Sequence, residues 1–391
     1  MREGWEYKKL GEVCTIERGG SPRPITDYIT DSEDGINWIK IGDAQEGSKY
    51  ITSTKEKIRP EGLKKSRFVH KGDFILSNSM SFGRPYILKV DGCIHDGWLV
   101  IHDDNEIFIK DYLYYILSSP IMYAKFSQLA VGGVVNNLNS SLVRKVTIPL
   151  PPKSTQLAIV SELDKINELI RLKKEQLKDY DNLAQSIFYD MFGDPVENEK
   201  GWEVKKLGEV CSQITDGTHN SPTNTKNGDF KYVTAKNIKK EGIVLDNITY
   251  VDADTHHSIY SRCNPEYGDI LYIKDGATTG IATINNLNEE FSLLSSVALL
   301  KLEDKIINYY LKAVLNTPSL YNCIRTNMGG AAITRLTLVK IKAIKIPLPP
   351  LPLQHLFTQR IEQIERQKSA VQKSITDLET LLASRMQYWF E

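Results

Sequence analysis

The chain has 391 residues, of which 41% are hydrophobic and 25% charged, so it is long enough for two or three domains with substantial cores. Its 49 lysines and arginines balance its 49 aspartates and glutamates, so net charge neither favours nor excludes a nucleic-acid partner. Five cysteines without a CxxC pair argue against a disulfide framework or a zinc ribbon, and no stretch reads as a secretory or membrane-spanning segment; we expect a cytoplasmic protein.

Residues 1–152 predict a strand-rich module. Residues 4–14 open it with GWEYKKLGEVC, and short apolar runs such as residues 74–76 and 98–101 lie between Gly, Asn, Asp and Ser clusters, which is typical of strands. A helical patch at residues 112–117 should end near Ser119-Pro120, because proline cannot continue a helix. The module is therefore α+β.

Residues 153–198 predict a long helical spacer that follows the sequence IPLPP at residues 148–152. Apolar residues recur there at intervals of three and four, with a break at Lys173. They are Ile159, Leu163, Ile166, Ile170, Leu177, Tyr180, Ala184 and Ile187. A helix of about 35 residues would be roughly 50 Å long, which exceeds one small domain.

Residues 199–350 repeat the first module, and residues 351–391 repeat the helix. GWEVKKLGEVC returns at residues 201–211, a YGD turn matches the earlier KGD turn, Gly329-Gly330 matches Gly132-Gly133, and IPLPP returns at residues 346–350. The second apolar series is Phe357, Ile361, Ile364, Val371, Ile375, Leu378, Leu382 and Trp389. Two units therefore lie head to tail, roughly 1–198 and 199–391.

The two helices have similar lengths and matching breaks, so we expect them to pair as an antiparallel coiled coil. The alternative is that each helix packs only on its own module. We expect helix residues, including the apolar ends, to contact a partner protein or a neighbouring module. These candidates are Ile159, Leu163, Ile170, Phe192, Phe357, Ile361, Leu382, Trp389 and Phe390.

Between the matching segments the two modules differ strongly, as at residues 36–43 and 230–237. A shared framework with different contents is what two reading modules with different targets would need, although drift after an old duplication would look similar.

Candidate DNA contacts come from a basic stretch in each module and from polar, glycine-rich loops, because cations bind phosphates and polar side chains read base edges. Solvated charges and ordinary turns would produce the same residue types. The candidates are Arg18, Ser21, Arg23, Lys55, Lys57, Lys64, Lys65, Arg67, Asn78, Ser79, Ser81, Arg84, Thr218, His219, Asn220, Lys231, Thr234, Lys236, Asn237, Lys274, Thr278 and Arg335.

Motifs of catalysis are missing from the sequence, which contains no Walker A loop, no HExxH and no amino-methyltransferase signature. Glu266 and Asp269 lack the further carboxylate that a nuclease site needs. The pair His256-His257 is more typical of a surface loop than of a metal site. We therefore expect no catalytic residue and no metal site.

The GWExKKLGEV openings, the KGD and YGD turns, the Gly-Gly pairs and the two IPLPP segments, each followed by a glutamine, resemble in their duplicated order the specificity subunits of type I restriction-modification systems. The resemblance covers essentially the whole chain. It implies target recognition domains at residues 1–152 and 199–350, each reading one half of a bipartite, gapped DNA site. It also implies helical spacers at residues 153–198 and 351–391.

The same resemblance implies that the spacers dock two methyltransferase (modification) subunits, with motor-endonuclease (restriction) subunits in the full complex. S-adenosylmethionine, ATP and Mg²⁺ would belong to those partners, and this chain would bind no cofactor. Two alternatives stay open: a coiled-coil scaffold whose modules bind proteins without DNA specificity, and a recognition fragment of a diverged methyltransferase.

Overall fold

The computed structural model describes residues 2–45, 47–78, 83–130, 138–326 and 335–391. The chain divides into two compact units: unit 1 comprises Met1–Lys174 and Lys373–Glu391, and unit 2 comprises Glu175–Gln372. Ser79, Ser81 and both Gly-Gly pairs lie outside the described residues, so the expectations attached to them stay predictions. The domain boundaries expected at residues 153, 199 and 351 also stay predictions.

Unit 1 is built mainly from short strands, as its apolar runs indicated. Its described strands are β1 (Glu6–Lys9), β2 (Thr15–Arg18), β3 (Ile29–Thr30), β4 (Ile36–Ile39), β5 (Tyr50–Ile51), β6 (Glu56–Ile58), β7 (Arg67–Val69), β8 (Phe74–Ser77), β9 (Pro85–Leu88), β10 (Gly92–Ile94), β11 (Trp98–His102) and β12 (Thr147–Leu150). Its described helices are α1 (Leu10–Val13), α2 (Lys110–Ser118), α3 (Pro120–Ala130), α4 (Ser140–Arg144), the first part of α5 (Lys153–Phe192) and the end of α10 (Leu351–Phe390), with 3-10 helices at Ile25–Asp27, Ile41–Asp43 and Pro60–Lys65.

These strands form two five-stranded mixed sheets, ordered β3-β6-β4-β10-β7 and β2-β11-β8-β9-β5, and the pair β1-β12. Trp98, Leu99, Val100 and Ile101 on β11 are all buried, because β11 lies between β2 and β8 with apolar residues on both faces. Helix α2 ends where the Ser119-Pro120 pair predicted, and Pro120 begins α3, a position that proline tolerates well.

Unit 2 repeats this plan. Its described strands are β13 (Val204–Lys206), β14 (Cys211–Asp216), β15 (Phe230–Val233), β16 (Ile238–Lys239), β17 (Gly242–Ile243), β18 (Thr249–Val251), β19 (Ile270–Ile273), β20 (Ala282–Ile284), β21 (Phe291–Leu293), β22 (Val297–Leu302) and β23 (Lys345–Pro347). Its described helices are the end of α5, α6 (Ala253–Tyr260), α7 (Asn308–Leu315), α8 (Pro318–Thr326), α9 (Leu338–Lys342) and the first part of α10 (Leu351–Phe390), with 3-10 helices at Leu207–Glu209 and Ala235–Asn237.

The strand orders of unit 2 are β14-β22-β19-β20, β18-β15-β21, β13-β23 and β16-β17. The prediction that His256 and His257 lie in a surface loop is wrong, since both residues lie on α6. His256 is fully buried because its ring stacks on Phe230 at 3.8 Å and its ring nitrogens contact Ser292 and Glu290.

The glutamine that follows each IPLPP segment anchors a long helix to its module. Gln156 is buried, and its Oε1 accepts a hydrogen bond from the backbone N–H of Ile109 at 2.8 Å. Gln354 is equally buried and accepts from the N–H of Ile307 at 2.9 Å. A buried backbone donor needs such a partner, so a glutamine side chain at the equivalent position fixes the start of each long helix.

In unit 1 the start of α5 and the end of α10 run antiparallel. The Arg385 guanidinium pairs with Glu162, whose Oε2 also accepts from Trp389 Nε1 at 3.0 Å. Further along, Lys174 Nζ lies 2.8 Å from Glu379 Oε1. As positions rise on α5, their partners on α10 fall, which confirms the antiparallel pairing.

The other halves of the same helices pair antiparallel in unit 2. Lys368 Nζ lies 2.7 Å from Asp181 Oδ1, and the Phe188 ring contacts the Phe357 ring at a centroid distance of 5.8 Å. Each long helix therefore contributes to the core of both units: Phe188 and Phe192 belong to the core of unit 2, and Met386 and Phe390 to that of unit 1. Within the described residues, no helix has the length and apolar character needed to cross a membrane.

The Glu162 ion pair predicts a pH-dependent contact within unit 1. The hydrogen bond from Arg385 holds the pKa of Glu162 below its ordinary value of 4.5, against a smaller opposing effect of burial. A carboxylate whose pKa is lower in the folded state contributes stability at pH values above its unfolded-state pKa. This stability is lost as the pH falls through the folded-state pKa. We expect the wild type to be more stable than Glu162→Gln at neutral pH and this advantage to shrink below about pH 4.5, as measured by hydrogen exchange of residues 373–391. An advantage that is unchanged in acid would contradict the assignment.

Candidate nucleic-acid interface

In unit 1 the carboxyl ends of β2, β8 and β10 meet at one junction. Backbone hydrogen bonds hold it together: Gly19 N to Trp98 O (2.9 Å), Gly20 N to Ile94 O (3.1 Å) and Asn78 N to Gly97 O (2.9 Å). A Cβ atom at Gly19 would lie 2.3 Å from the carbonyl oxygen of His95, so only glycine fits this close approach.

Unit 2 has the same junction at the ends of β14, β19 and β21. The equivalent bonds are Gly217 N to Val297 O (3.4 Å), Thr218 N to Leu293 O (2.8 Å) and Lys274 N to Ser296 O (2.9 Å). A Cβ atom at Gly217 would lie 1.9 Å from the carbonyl oxygen of Leu293, so glycine is required here too.

The side chains on this common backbone differ between the units. Matching the hydrogen-bonded positions pairs Arg18 with Asp216, Gly20 with Thr218, Asn78 with Lys274, His95 with Leu294 and Asp96 with Ser295. The cation Arg18 of unit 1 corresponds to the anion Asp216 of unit 2, and the anion Asp96 corresponds to the hydroxyl group of Ser295. The two junctions therefore present different hydrogen-bonding groups from one backbone geometry.

In unit 1 four predicted residues converge on Asp96, which sequence reasoning missed. Arg18 Nε and Asn78 Nδ2 each donate to the Asp96 carbonyl oxygen at 3.0 Å, and Ser21 Oγ donates to Oδ1 at 2.9 Å. Arg23 lies 3.5 Å from Oδ2. Burial acts to raise the pKa of Asp96, but the Ser21 hydrogen bond and the neighbouring positive charges hold it below its ordinary value. Asp96 is therefore ionised at neutral pH.

His95 lies beside this carboxylate, with Nε2 at 2.9 Å from Asp96 Oδ1. Burial lowers the pKa of His95, partly offset by the charge of Asp96. Both residues line a cavity of about 640 Å³ together with the Lys40–Glu56 ion pair and Trp38. The lining is mixed, since the apolar side chains of Ile25 and Ile29 lie beside the polar groups.

In unit 2 the corresponding cluster centres on a buried ion pair. The side chains of Asp216 and Lys274 are 3% and 2% exposed, and Oδ2 lies 3.3 Å from Nζ. Asp216 Oδ1 also lies 3.2 Å from His219 Nε2 and 3.4 Å from Arg262 Nη1. Arg262 follows α6 and carries no local signal in the sequence; its half-exposed guanidinium adds a cation at the rim.

Three of the predicted DNA contacts, Asn78, Asn237 and Lys274, are buried and bonded within the chain. Their contact with DNA stays a prediction. Asn237 Oδ1 accepts from the backbone N–H of Thr234 at 3.0 Å, which makes both residues part of one turn.

The remaining described candidates keep at least partial exposure. Some are held by ion pairs, such as Arg67 with Glu17 at 2.9 Å and Lys231 with Glu289 at 2.7 Å. The exposed candidates are Arg18, Arg23, Lys55, Lys64, Lys65, Arg84, His219, Asn220, Lys236, Thr278 and Arg335, and the half-buried ones are Ser21, Lys57, Arg67, Thr218, Lys231 and Thr234. Their contact with DNA stays a prediction.

Most of the helix residues that were expected to contact a partner protein or a neighbouring module are covered within the chain itself. Seven of the nine apolar candidates are buried within the chain's own cores: Ile159, Leu163, Ile170, Phe192, Phe357, Ile361 and Phe390. Leu382 and Trp389 are half-buried and pack against the core of unit 1. Trp389 stacks on Trp5 with a centroid distance of 6.4 Å. The modules themselves therefore cover these helix surfaces.

Comparison with known proteins identifies one family over most of the chain. Residues 2–179 and 199–380 each match the type I restriction modification DNA specificity domain. The chain is 23% identical to the MjaIX specificity subunit of Methanocaldococcus jannaschii, covering 96% of this chain and 90% of that protein, and 19% identical to the EcoKI specificity subunit of Escherichia coli K12, covering 96% and 85%. A solved chain from a study of assembly and conformational transition of the type I R-M system is similar in fold, with a TM-score of 0.66, 20% identity and coverage of 99% and 97%.

Proposed function

Because the chain belongs to the type I restriction modification DNA specificity family, with the family's domain present twice, we propose that it recognises a bipartite, gapped DNA sequence. Unit 1 reads one half of this site and unit 2 the other. The observation that carries the proposal is the pair of strand-end junctions, which share their backbone hydrogen bonds and differ in the side chains they present. Two readers with one architecture and different targets need this combination.

The chain acts as a recognition subunit in this proposal, and partner subunits supply the chemistry. Two modification subunits that bind S-adenosylmethionine would dock on it, together with restriction subunits that use ATP and Mg²⁺. The similarity to specificity subunits supports this division. The apolar seams of α5 and α10 are occupied within the chain, so the docking surface would lie on other faces of the helices or on the modules.

The proposal is tested by expressing the chain together with the modification subunit of its system and sequencing the methylated DNA at single-base resolution. We expect an asymmetric motif with two specified parts separated by several unspecified base pairs. A stable complex with an active modification subunit and no sequence-specific methylation would favour a protein-binding scaffold instead.

Module exchange tests whether the two units read independently. Replacing residues 1–150 with the first module of another specificity subunit should change one half of the motif and leave the other half intact. The donor module should carry an aromatic residue at the position of Tyr112, because this ring contacts Phe390 at 5.9 Å in the core of unit 1. Loss of both halves despite normal assembly would contradict independent reading.

A further inference from the structure

The carboxylate of Asp96 is fixed on one side and open on the other. Oδ1 contacts Ser21 Oγ and His95 Nε2, each at 2.9 Å. For Oδ2 the described residues offer a single neighbour, the Arg23 guanidinium at 3.5 Å, whose side chain is 83% exposed. One oxygen thus orients the group and the other retains its capacity to accept hydrogen bonds.

The backbone beneath this carboxylate is also held in place. The Asp96 carbonyl oxygen accepts from both Arg18 Nε and Asn78 Nδ2, and the Asp96 N–H donates to Ser21 Oγ at 3.3 Å. The residue lies in the turn between β10 and β11, so two strands fix its position. A recognition group supported in this way loses little conformational entropy on binding.

An ionised carboxylate at a DNA surface discriminates between bases by the sign of the interaction. It accepts hydrogen bonds and donates none, so in the major groove it can pair with the N4 amino group of cytosine or the N6 amino group of adenine. Guanine O6 and thymine O4 present lone pairs and are repelled. Arg18 and Arg23 are exposed in the same cluster and would offset the repulsion between Asp96 and the phosphates of a bound DNA.

We propose that Asp96 is a specificity-determining residue of unit 1, which accepts a hydrogen bond through Oδ2 from the exocyclic amino group of a cytosine or an adenine in its half-site. This rests on the proposed function. Unit 2 has Ser295 at the equivalent position, and a hydroxyl can both donate and accept, so the restriction to amino-bearing bases applies to the half-site of unit 1 alone.

The test compares methylation motifs of the wild type, Asp96→Asn and Asp96→Ala, each expressed with the modification subunit. The wild-type motif should contain a position in one half-site that requires cytosine or adenine, and the base found there identifies the donor. Asp96→Asn keeps the shape and adds an N–H donor, so guanine or thymine should become acceptable at that position. Asp96→Ala should lower discrimination there by roughly tenfold or more. Asp31→Ala removes an exposed carboxylate of the same unit and should leave the motif unchanged.

The outcomes separate this inference from the proposed function. A wild type without a bipartite motif would refute the proposed function itself. A bipartite wild-type motif that both Asp96 variants leave unchanged would overturn the role of Asp96. Loss of methylation at all sites with both variants, including the isosteric asparagine, would assign Asp96 to folding and would also overturn it.

Discussion

Replacing Lys274 with methionine is expected to lower the free energy of unfolding of unit 2 by about 3–5 kcal/mol, because it leaves a buried charge without its partner. Lys274 Nζ lies 3.3 Å from Asp216 Oδ2 and 3.2 Å from Asp275 Oδ2, and the side chains of Lys274 and Asp216 are almost completely buried. Methionine fills a similar volume but cannot compensate the carboxylate. Urea unfolding followed by hydrogen exchange in peptides of unit 2 measures the effect.

Two further variants serve as controls for this result. Lys239→Met removes an exposed lysine of the same unit and should change stability by less than about 0.5 kcal/mol. Adding Asp216→Asn to Lys274→Met should restore part of the lost stability, since the uncompensated charge is then absent. If Lys274→Met alone is as stable as the wild type, then Arg262 and His219 are sufficient to neutralise Asp216.

The duplicated α+β architecture could be predicted from the sequence because its determinants are local and occur twice. Each module ends in IPLPP, and each long helix begins directly after it, since proline closes a strand region and a buried glutamine then fixes the helix start. The helical periodicity also predicted part of the buried surface of α5 and α10, although Leu177 and Leu378 of the two apolar series are only half-buried. Ile159 and Phe357, by contrast, are fully or almost fully buried.

Periodicity could not predict what buries those residues. An apolar side chain at a helix end has the same pattern whether a partner protein or the chain's own module covers it. Phe192 lies about 40 residues from the start of its helix, yet it packs against residues more than 100 positions later in the chain. Contacts at that sequence separation depend on the complete fold, so the sequence left open whether a partner protein or a module covers Phe192, and the structure places it in the core of unit 2.

The candidate interface was predictable in location but not in its individual residues. The loops at the ends of β2 and β8 and of β14 and β19 carried the expected glycine and polar composition, and they do meet at the two junctions. Composition does not distinguish a cation that faces solvent, such as Arg23, from one that neutralises an internal carboxylate, such as Lys274. A search for cations also passes over an anionic reader, and for that reason Asp96 was missed.

Replacing Phe192 with alanine should destabilise unit 2 by about 3–5 kcal/mol, because it removes a large ring from a packed aromatic cluster and leaves a cavity. The Phe192 side chain is 1% exposed, and its ring contacts Tyr310 at 4.8 Å and Phe188 and Phe357 at 5.3 Å each. Aromatic rings in edge-to-face contact add to the stability that burial provides. Hydrogen exchange should therefore accelerate in the peptides of unit 2.

The effect of this substitution should remain within one unit, although the helix itself belongs to both. Phe390→Ala should accelerate exchange in unit 1, where Phe390 contacts Tyr112, and should leave unit 2 largely unchanged. Leu183→Ala alters a residue of α5 that is 47% exposed and should affect stability by less than about 0.5 kcal/mol. If Phe192→Ala leaves the isolated chain as stable as the wild type but weakens its complex with the modification subunit, then the aromatic cluster binds a partner protein, one of the two alternatives that the sequence left open. Destabilisation of the isolated chain would instead establish that the end of α5 is a structural part of the second reading module.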